Sequence, residues 1–274
     1  MASPYELPDG NVLLSISGGR TSAYMLHKIL EANGDLPDRC KVVFANTGRE
    51  MPETLDFVQE CSDRWNVRIS FVEFIKEKPK FKVVNHNQAS RNGEPFEALI
   101  RQHKYIPNTM RRKCTQELKL LTIKRFLVSN GWKQWVNTVG IRADEARRIK
   151  DSTDKRWTNW FPVFNANETK YDVAEFWEKQ HLAFDLRLPL INGVTPQSNC
   201  DGCFLKSELK LAEMWRDHPD KMQWWSNLEK EFGHTFRYDG ISYQEIRENL
   251  ERQGDWVFDL EDFFCQANGG ECVI

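Results

Sequence analysis

The feature that most constrains this chain is the alternation of short apolar runs and helical stripes across residues 11–74. Asn11-Val-Leu-Leu-Ser-Ile16 is an unbroken β-prone run and reads as a strand buried on both faces. The glycine-bearing stretch 17–22 interrupts it. Residues 23–32 then place Met25, Leu26, Ile29 and Leu30 on one helical stripe, and Asn33-Gly34 is a good stop. Lys41-Val-Val-Phe-Ala45 reads as a second strand and Val67-Arg-Ile-Ser-Phe-Val-Glu-Phe74 as a third, with a helix between them that starts at Pro52. Strand–helix–strand order with crossovers of this length implies a parallel sheet joined by right-handed connections.

The pattern continues with a helix over 115–130, a strand over 134–139, a further strand over 157–164 and a helix over 171–180. Residues 76–95 are polar and aperiodic and read as an insertion or lid. After Pro189 the pattern changes to a cysteine pair and three helices, 206–217, 220–232 and 242–253. The expected fold is α/β, a Rossmann-like parallel sheet with helices on both faces, plus a helical cysteine-bearing C-terminal part. The expected division falls at 1–190 and 191–274.

Composition narrows the function classes. The 274 residues carry 38 Lys and Arg against 40 Asp and Glu, which excludes a generally basic nucleic-acid coater. A mean hydropathy of −0.62 and the lack of a long apolar run exclude a membrane span. The start of the chain shows no basic-then-apolar leader, so the expectation is a cytoplasmic protein. Seven cysteines without such a leader argue against a disulfide framework. The charge is uneven: residues 101–150 hold thirteen basic side chains against three acids, and residues 201–274 hold eight against sixteen. A polyanion site in the middle of the chain is the sharp reading of that asymmetry, and a solvated face the bland one.

Ser17-Gly18-Gly19-Arg20-Thr21-Ser22 lies between a buried strand and a helix start. Glycines let the backbone approach an anion, N–H groups and the helix dipole favour it, and the hydroxyls of Ser17, Thr21 and Ser22 can donate to phosphate oxygens. It is neither a GxxxxGK[ST] loop nor a GxGxxG loop. Cys200-x-x-Cys203 offers two thiolates to one metal, and taken alone it leaves zinc, a redox dithiol and coincidence open. Cys114 opens a helix among Arg111, Arg112 and Lys113, which favours its thiolate. Cys40 and Cys61 read as packing residues. Trp157, Trp160, Trp177, Trp215, Trp224, Trp225 and Trp256 crowd the second half and read as core rather than as base-stacking platforms. The histidines show no ligand spacing.

Four segments together resemble one family. The hexapeptide is similar to the SGGxDS pyrophosphate loop of ATP pyrophosphatases and of the phosphoadenosine phosphosulfate (PAPS) reductase family. Asn46-Thr-Gly-Arg-Glu-Met-Pro-Glu-Thr54 resembles its DTGxxxPET segment. Arg112-Lys-Cys-Thr-Gln-Glu-Leu-Lys119 resembles its basic cysteine helix start, and Gly140-Ile-Arg-Ala-Asp-Glu-Ala-Arg-Arg148 its G-x-R-x-x-E/Q-S-x-x-R loop. The resemblance implies an adenine nucleotide α-hydrolase-like fold, with ATP, adenylyl sulfate or PAPS across the C-terminal strand ends. It implies that residues 17–22 hold a phosphate chain, that Asn46, Thr47 and Gly48 border the adenosine, and that Arg142, Arg147 and Arg148, beside Gly140, close over the anion. Thr21 and Asn46 depart from the aspartates found at those positions and remove two magnesium-facing carboxylates, so magnesium stays open.

The set Cys114, Cys200 and Cys203 resembles the ligands of the [4Fe–4S] cluster in adenylyl-sulfate reductases and tRNA thiolases of this superfamily, with Cys265 as the candidate fourth ligand. Glu271-Cys272 resembles the catalytic Glu-Cys-Gly-Leu-His tail of PAPS reductases, but Val273-Ile274 replace its end. Cys272 is thereby the candidate nucleophile or sulfur carrier. The leading expectation is adenine-nucleotide-dependent sulfur transfer, leaning to ATP-dependent thiolation with a thiol or persulfide donor. The alternatives are reduction of PAPS or adenylyl sulfate to sulfite, and a non-catalytic nucleotide or nucleic-acid binding module with structural zinc. A nucleic-acid acceptor and a homo-oligomer stay open.

Overall fold

The structure is a computed structural model that describes residues 3–180, 195, 197 and 200–253. Its six strands are β1 (Val12–Ile16), β2 (Cys40–Asn46), β3 (Ile69–Glu73), β4 (Lys82–Val84), β5 (Trp135–Thr138) and β6 (Trp157–Trp160), in the spatial order β4-β3-β2-β1-β5-β6. All neighbours run parallel except β4, which pairs antiparallel with β3. The chain winds outward from β1 through β2 to β3 and then returns to place β5 on the other side of β1. That reversal makes a crevice outside the C-terminal ends of β1 and β5, where ligands of open α/β sheets bind.

The helices are α1 (Arg20–Asn33), α2 (Pro52–Arg64), α3 (Glu94–His103), α4 (Thr122–Ser129), α5 (Pro162–Asn165), α6 (Lys170–Gln180), α7 (Glu208–Asp217), α8 (Pro219–Phe232) and α9 (Tyr243–Gln253). A π-helical segment, Cys114–Leu121, runs directly into α4. Strand alternation divides the core. Val12, Leu14, Ile16, Val42, Phe44 and Phe71 face one cluster, which also holds Met25, Leu55, Trp177, Leu211, Trp215 and Trp225. Leu13, Val43, Ala45 and Val72 face the other, closed by Ile123, Phe126 and Leu127 of α4 and by Trp132 and Trp135. Helices therefore cover both faces, as the near-continuous apolar strands require. The three C-terminal helices join the same cluster as the central strands.

Two parts of the segment read as an insertion are regular. Lys82–Val84 extends the sheet because its Lys82 pairs with the buried Glu73 at 3.0 Å, a cross-strand contact that no local period reveals. Glu94 opens α3 behind the left-handed Gly93, with Pro95 in its first turn. The tryptophans act as core: Trp177, Trp215 and Trp225 are buried, and Trp256 lies outside the described residues. Cys61 is buried in α2 and Cys40 begins β2, both with thiols pushed up by burial.

The α8–α9 pair is tied by one carboxylate. Glu229 accepts from the backbone N–H of Phe236 at 2.9 Å and of Tyr243 at 2.6 Å, while Ser242 and Glu245 cap the start of α9 reciprocally. Burial pushes the Glu229 carboxyl from 4.5 up to about 7, against the pull of its two N–H donors. A carboxyl raised in the fold binds more protons folded than unfolded between those values, so its contribution to stability falls as pH rises through that window. Urea unfolding at pH 5 and pH 8 is expected to show a smaller difference for Glu229→Gln than for wild type. An equal difference contradicts this assignment.

Candidate functional site

The loop after β1 is built by its own side chains. Ser17 N–H donates to Ser22 Oγ at 3.1 Å, the Ser17 and Ser22 hydroxyls lie 3.0 Å apart, and Ser22 Oγ donates to Gly19 carbonyl at 2.9 Å. Gly18 sits at φ +83, and a Cβ there would lie 2.4 Å from Thr54 Cγ2, so the left-handed turn under α2 admits only glycine. Gly19 is the N-cap of α1 and has no side chain to occupy the first-turn amides, which leaves a helix N-terminus suited to an anion. The Ser22 hydroxyl thus shapes the loop rather than pointing outward as a phosphate donor. Arg20 starts α1; its guanidinium donates to Thr195 Oγ1 and its carbonyl accepts from Trp177 at 3.1 Å.

The loop after β5 folds onto this one. Arg142 is buried and donates to Thr21 Oγ1 at 3.0 Å, joining the ends of β1 and β5 across the crevice. Asp144 at 3.2 Å and Glu145 at 3.4 Å hold the same guanidinium. The position where related loops carry aspartate is therefore a threonine that accepts from an arginine. Gly140 packs against Ser22, with room for a Cβ only 3.5 Å from its Cα. Arg148 pairs with Glu145, and Arg147 is exposed.

At the end of β2, Asn46 is fully buried with its amide turned to two acceptors, Glu73 Oε1 at 2.6 Å and Ser90 carbonyl at 2.8 Å. Its own Oδ1 accepts from Gly48 N–H at 3.0 Å. Glu73 has no exposure and also takes the N–H and hydroxyl of Ser90. An aspartate at 46 would oppose this carboxylate, so the amide is the side chain that this pocket fits. Thr47 donates to Glu50 Oε2 at 2.8 Å, and Lys119 from the π-helical segment approaches Glu50 Oε1 at 3.9 Å.

The cysteines meet this same loop. Cys200 forms an antiparallel bridge with Glu50, and its Sγ lies 3.3 Å from Thr47 Oγ1. Asp201 N–H donates to Arg49 carbonyl at 2.8 Å. Cys200 and Cys203 are buried in the main core cluster, and half-buried Cys114 packs against it. Burial pulls the Lys206 ammonium down beside the pair, opposed by the Cys203 thiol. Sulfur donors of this kind suit zinc or iron–sulfur by chemistry. Among the described residues, however, no three His, Cys, Asp or Glu side chains are grouped as a metal site groups them. Cys265 and Cys272 lie outside the described residues.

A family model for the phosphoadenosine phosphosulfate reductase domain matches residues 11–183, which takes in all three loops. The chain belongs to this family. Its sequence is 27% identical over 224 residues to an uncharacterized nin region protein of Escherichia phage lambda, covering 75% of this chain and 69% of that protein. It is 26% identical over 241 residues to an uncharacterized protein of Methanocaldococcus jannaschii, covering 83% of this chain and 43% of that protein. Among solved structures, the phosphate complex of a PAPS reductase from Candida auris aligns with a TM-score of 0.42 and 12% identity, covering 66% of this chain and 81% of that one. A U34-tRNA thiolase from Methanococcus maripaludis with its [4Fe–4S] cluster aligns with a TM-score of 0.42 and 14% identity, covering 96% and 78%. No helix among the described residues of this PAPS reductase family member is long and apolar enough to cross a membrane.

Sequence reasoning missed Arg49, Glu50, Glu73, Lys119 and Asp201, all buried and charged. Four of them, Arg49, Glu50, Lys119 and Asp201, lie inside segments already singled out for other residues. The available signal was a charged residue next to a strand end or between two cysteines. Replacing Asn46 with Asp is expected to lower stability by about 1–3 kcal/mol, because a buried donor becomes a second acceptor. Urea denaturation measures the loss, and an unchanged midpoint contradicts the role of Glu73.

Proposed function

We propose that this PAPS reductase family member binds an adenine nucleotide across the ends of β1, β2 and β5 and uses it in sulfur transfer, as an ATP-dependent thiolating enzyme. The observation that carries this reading is the meeting of Thr47 and Cys200 at 3.3 Å, which brings the cysteine pair against the loop after β2. Residues 17–22 hold the phosphate chain through the α1 amides, and Asn46, Thr47 and Gly48 border the adenosine. Arg142, already seated on Thr21, balances the anion, with Arg147 and Arg148 on the same loop and Gly140 at its start.

In this reaction an acceptor oxygen attacks the α-phosphorus of ATP and pyrophosphate leaves. The terminal sulfur of a persulfide donor then attacks the carbon that bears the adenylated oxygen, and AMP departs with the C–O electron pair. A second thiol cleaves the S–S bond to the donor, freeing the thiolated product and leaving a disulfide between donor and thiol. Arg142 and the loop amides stabilise the departing pyrophosphate, a role that elsewhere falls to magnesium and carboxylates. Cys114, Cys200 and Cys203, with Cys265, are the proposed soft ligands. A [4Fe–4S] cluster held there would supply a binding point for transferable sulfur, and zinc is the other metal that the donor set suits. Cys272 is the proposed nucleophile or sulfur carrier.

A second reading has one observation in its favour. Neither Thr21 nor Asn46 offers a carboxylate to magnesium, and Asn46 is committed to Glu73. Attack of the Cys272 thiolate on the sulfonate sulfur of adenylyl sulfate or PAPS expels the nucleotide without releasing pyrophosphate, and a second thiol then frees sulfite.

An anaerobic assay of AMP and pyrophosphate release from ATP, beside sulfite release from PAPS and adenylyl sulfate, separates the two. The account expects AMP formation that requires acceptor and sulfur donor, and Gly19→Asp should abolish nucleotide binding in a folded protein. Sulfite formation selects the reductive reading. Turnover of none of these, in protein that binds nucleotide and holds only zinc, contradicts the enzyme.

A further inference from the structure

Between the loop after β2 and the cysteine pair lies an ion pair that none of the assigned roles uses. Arg49 and Asp201 are both buried, at 4% and 0% exposure, and meet as a fork: Arg49 Nε reaches Asp201 Oδ1 at 3.2 Å and a terminal nitrogen reaches Oδ2 at 2.6 Å. The guanidinium lies 4.4 Å from the ring centre of Trp224, and the Trp225 indole N–H donates to Asp201 Oδ1 at 2.7 Å. A buried charge pair held on its flat face and at its rim has one geometry, unlike a surface pair.

Both partners sit where they set backbone. Arg49 is the residue after Gly48, and its carbonyl accepts from Asp201 N–H at 2.8 Å. Asp201 lies between the cysteines and its Oδ1 also accepts from Gly202 N–H at 2.7 Å. A Cβ on Gly202 would come within 2.4 Å of the Trp225 ring, so this turn is pressed flat against the same tryptophan. The fork therefore binds one side chain from the nucleotide-facing loop to one from the thiol loop, and both to a common aromatic wall.

We infer that Arg49 and Asp201 are positioning residues that couple occupancy of the nucleotide loop to the order of the Cys200–Cys203 turn. The inference rests on the proposed nucleotide and thiol roles and adds the regulation between them. A nucleotide that fixes residues 46–48 fixes the Arg49 backbone, and the fork transmits that restraint to residues 200–203. Loss of the fork leaves the loops joined through the Glu50–Cys200 bridge and the Asp201–Arg49 backbone hydrogen bond but without the side-chain restraint that carries the response. Asp201→Asn is the appropriate change, because it keeps the Oδ1 acceptor for Trp225 and Gly202 while removing the charge that holds Arg49.

The test is amide hydrogen exchange of the full-length protein, read in the peptide covering residues 200–206, with and without ATP, beside calorimetric ATP affinity. In wild type, saturating ATP should slow exchange there about tenfold, equivalent to roughly 1.4 kcal/mol of added protection. In Asp201→Asn, ATP should bind within about threefold of wild-type affinity, yet the slowing should vanish. A purely structural role would raise exchange equally with and without ATP and keep their ratio, which overturns the coupling. Arg49→Lys, which keeps the charge but not the fork, should show the same lost ratio and guards against a misfolded Asp201→Asn. Wild type that binds no nucleotide overturns the functional reading and the coupling with it. Wild type that binds ATP without slowing exchange overturns the coupling alone.

Discussion

The arrangement turns on the reversal of strand order at β1. Because β2 and β5 flank it on opposite sides, the loops that follow β1 and β5 must diverge from adjacent strand ends and leave a crevice between them. Arg142 spans that crevice to Thr21, and the anion-suited start of α1 opens into it. The loop after β2 forms the next wall. Its buried charges Glu50 and Arg49 are met by buried partners from distant segments, Lys119 and Asp201, and the neighbouring Glu73 by the exposed Lys82 of the next strand. Removing one member of a fully buried pair such as Arg49–Asp201 costs about 3–5 kcal/mol, so the wall holds its shape through charge matching as well as apolar contact.

The same logic tempers the charge asymmetry of the sequence. The basic segment 101–150 is not a bare cationic surface. Arg101 pairs with Glu97 and Glu231, Lys124 with Asp154, Arg125 with Glu117 and Arg148 with Glu145. Exposed pairs like Arg101–Glu231 add little stability, but they cancel charge that a composition count leaves visible. Arg142, which spans the crevice to Thr21, is likewise held by Asp144 and Glu145, but it is buried and fixed in place.

Local pattern carried the reading where local forces decide the outcome. The parallel strands, α1 with its Gly34 stop, the Pro52 start of α2 and the three C-terminal helices all follow from periodicity, turn residues and caps, and the structure has each of them, except that the strand expected over 157–164 stops at Trp160 and gives way to α5 at Pro162. The short β4 was not legible because its order comes from Glu73–Lys82 pairing, whereas α3 does carry a short stripe, Phe96, Leu99 and Ile100, that begins where the polar run 76–95 ends and that the reading left unassigned. At the site, the glycine-serine loop and Arg142 were legible as motifs. The partner of Arg49 was not, since Asp201 lies 152 residues away and only the fold brings them together. Asn46 looked like a lost carboxylate in the sequence, whereas in the structure it is the donor that Glu73 requires.

Nucleotide is proposed to occupy the crevice shared by the loops after β1, β2 and β5, next to the cysteine pair. Photolabelling of the intact protein with 8-azido-ATP, followed by peptide mapping, locates it. Label is expected in residues 46–54 or 140–148, blocked by excess ATP. Label confined to α7, α8 and α9, or label that ATP does not displace, contradicts this placement.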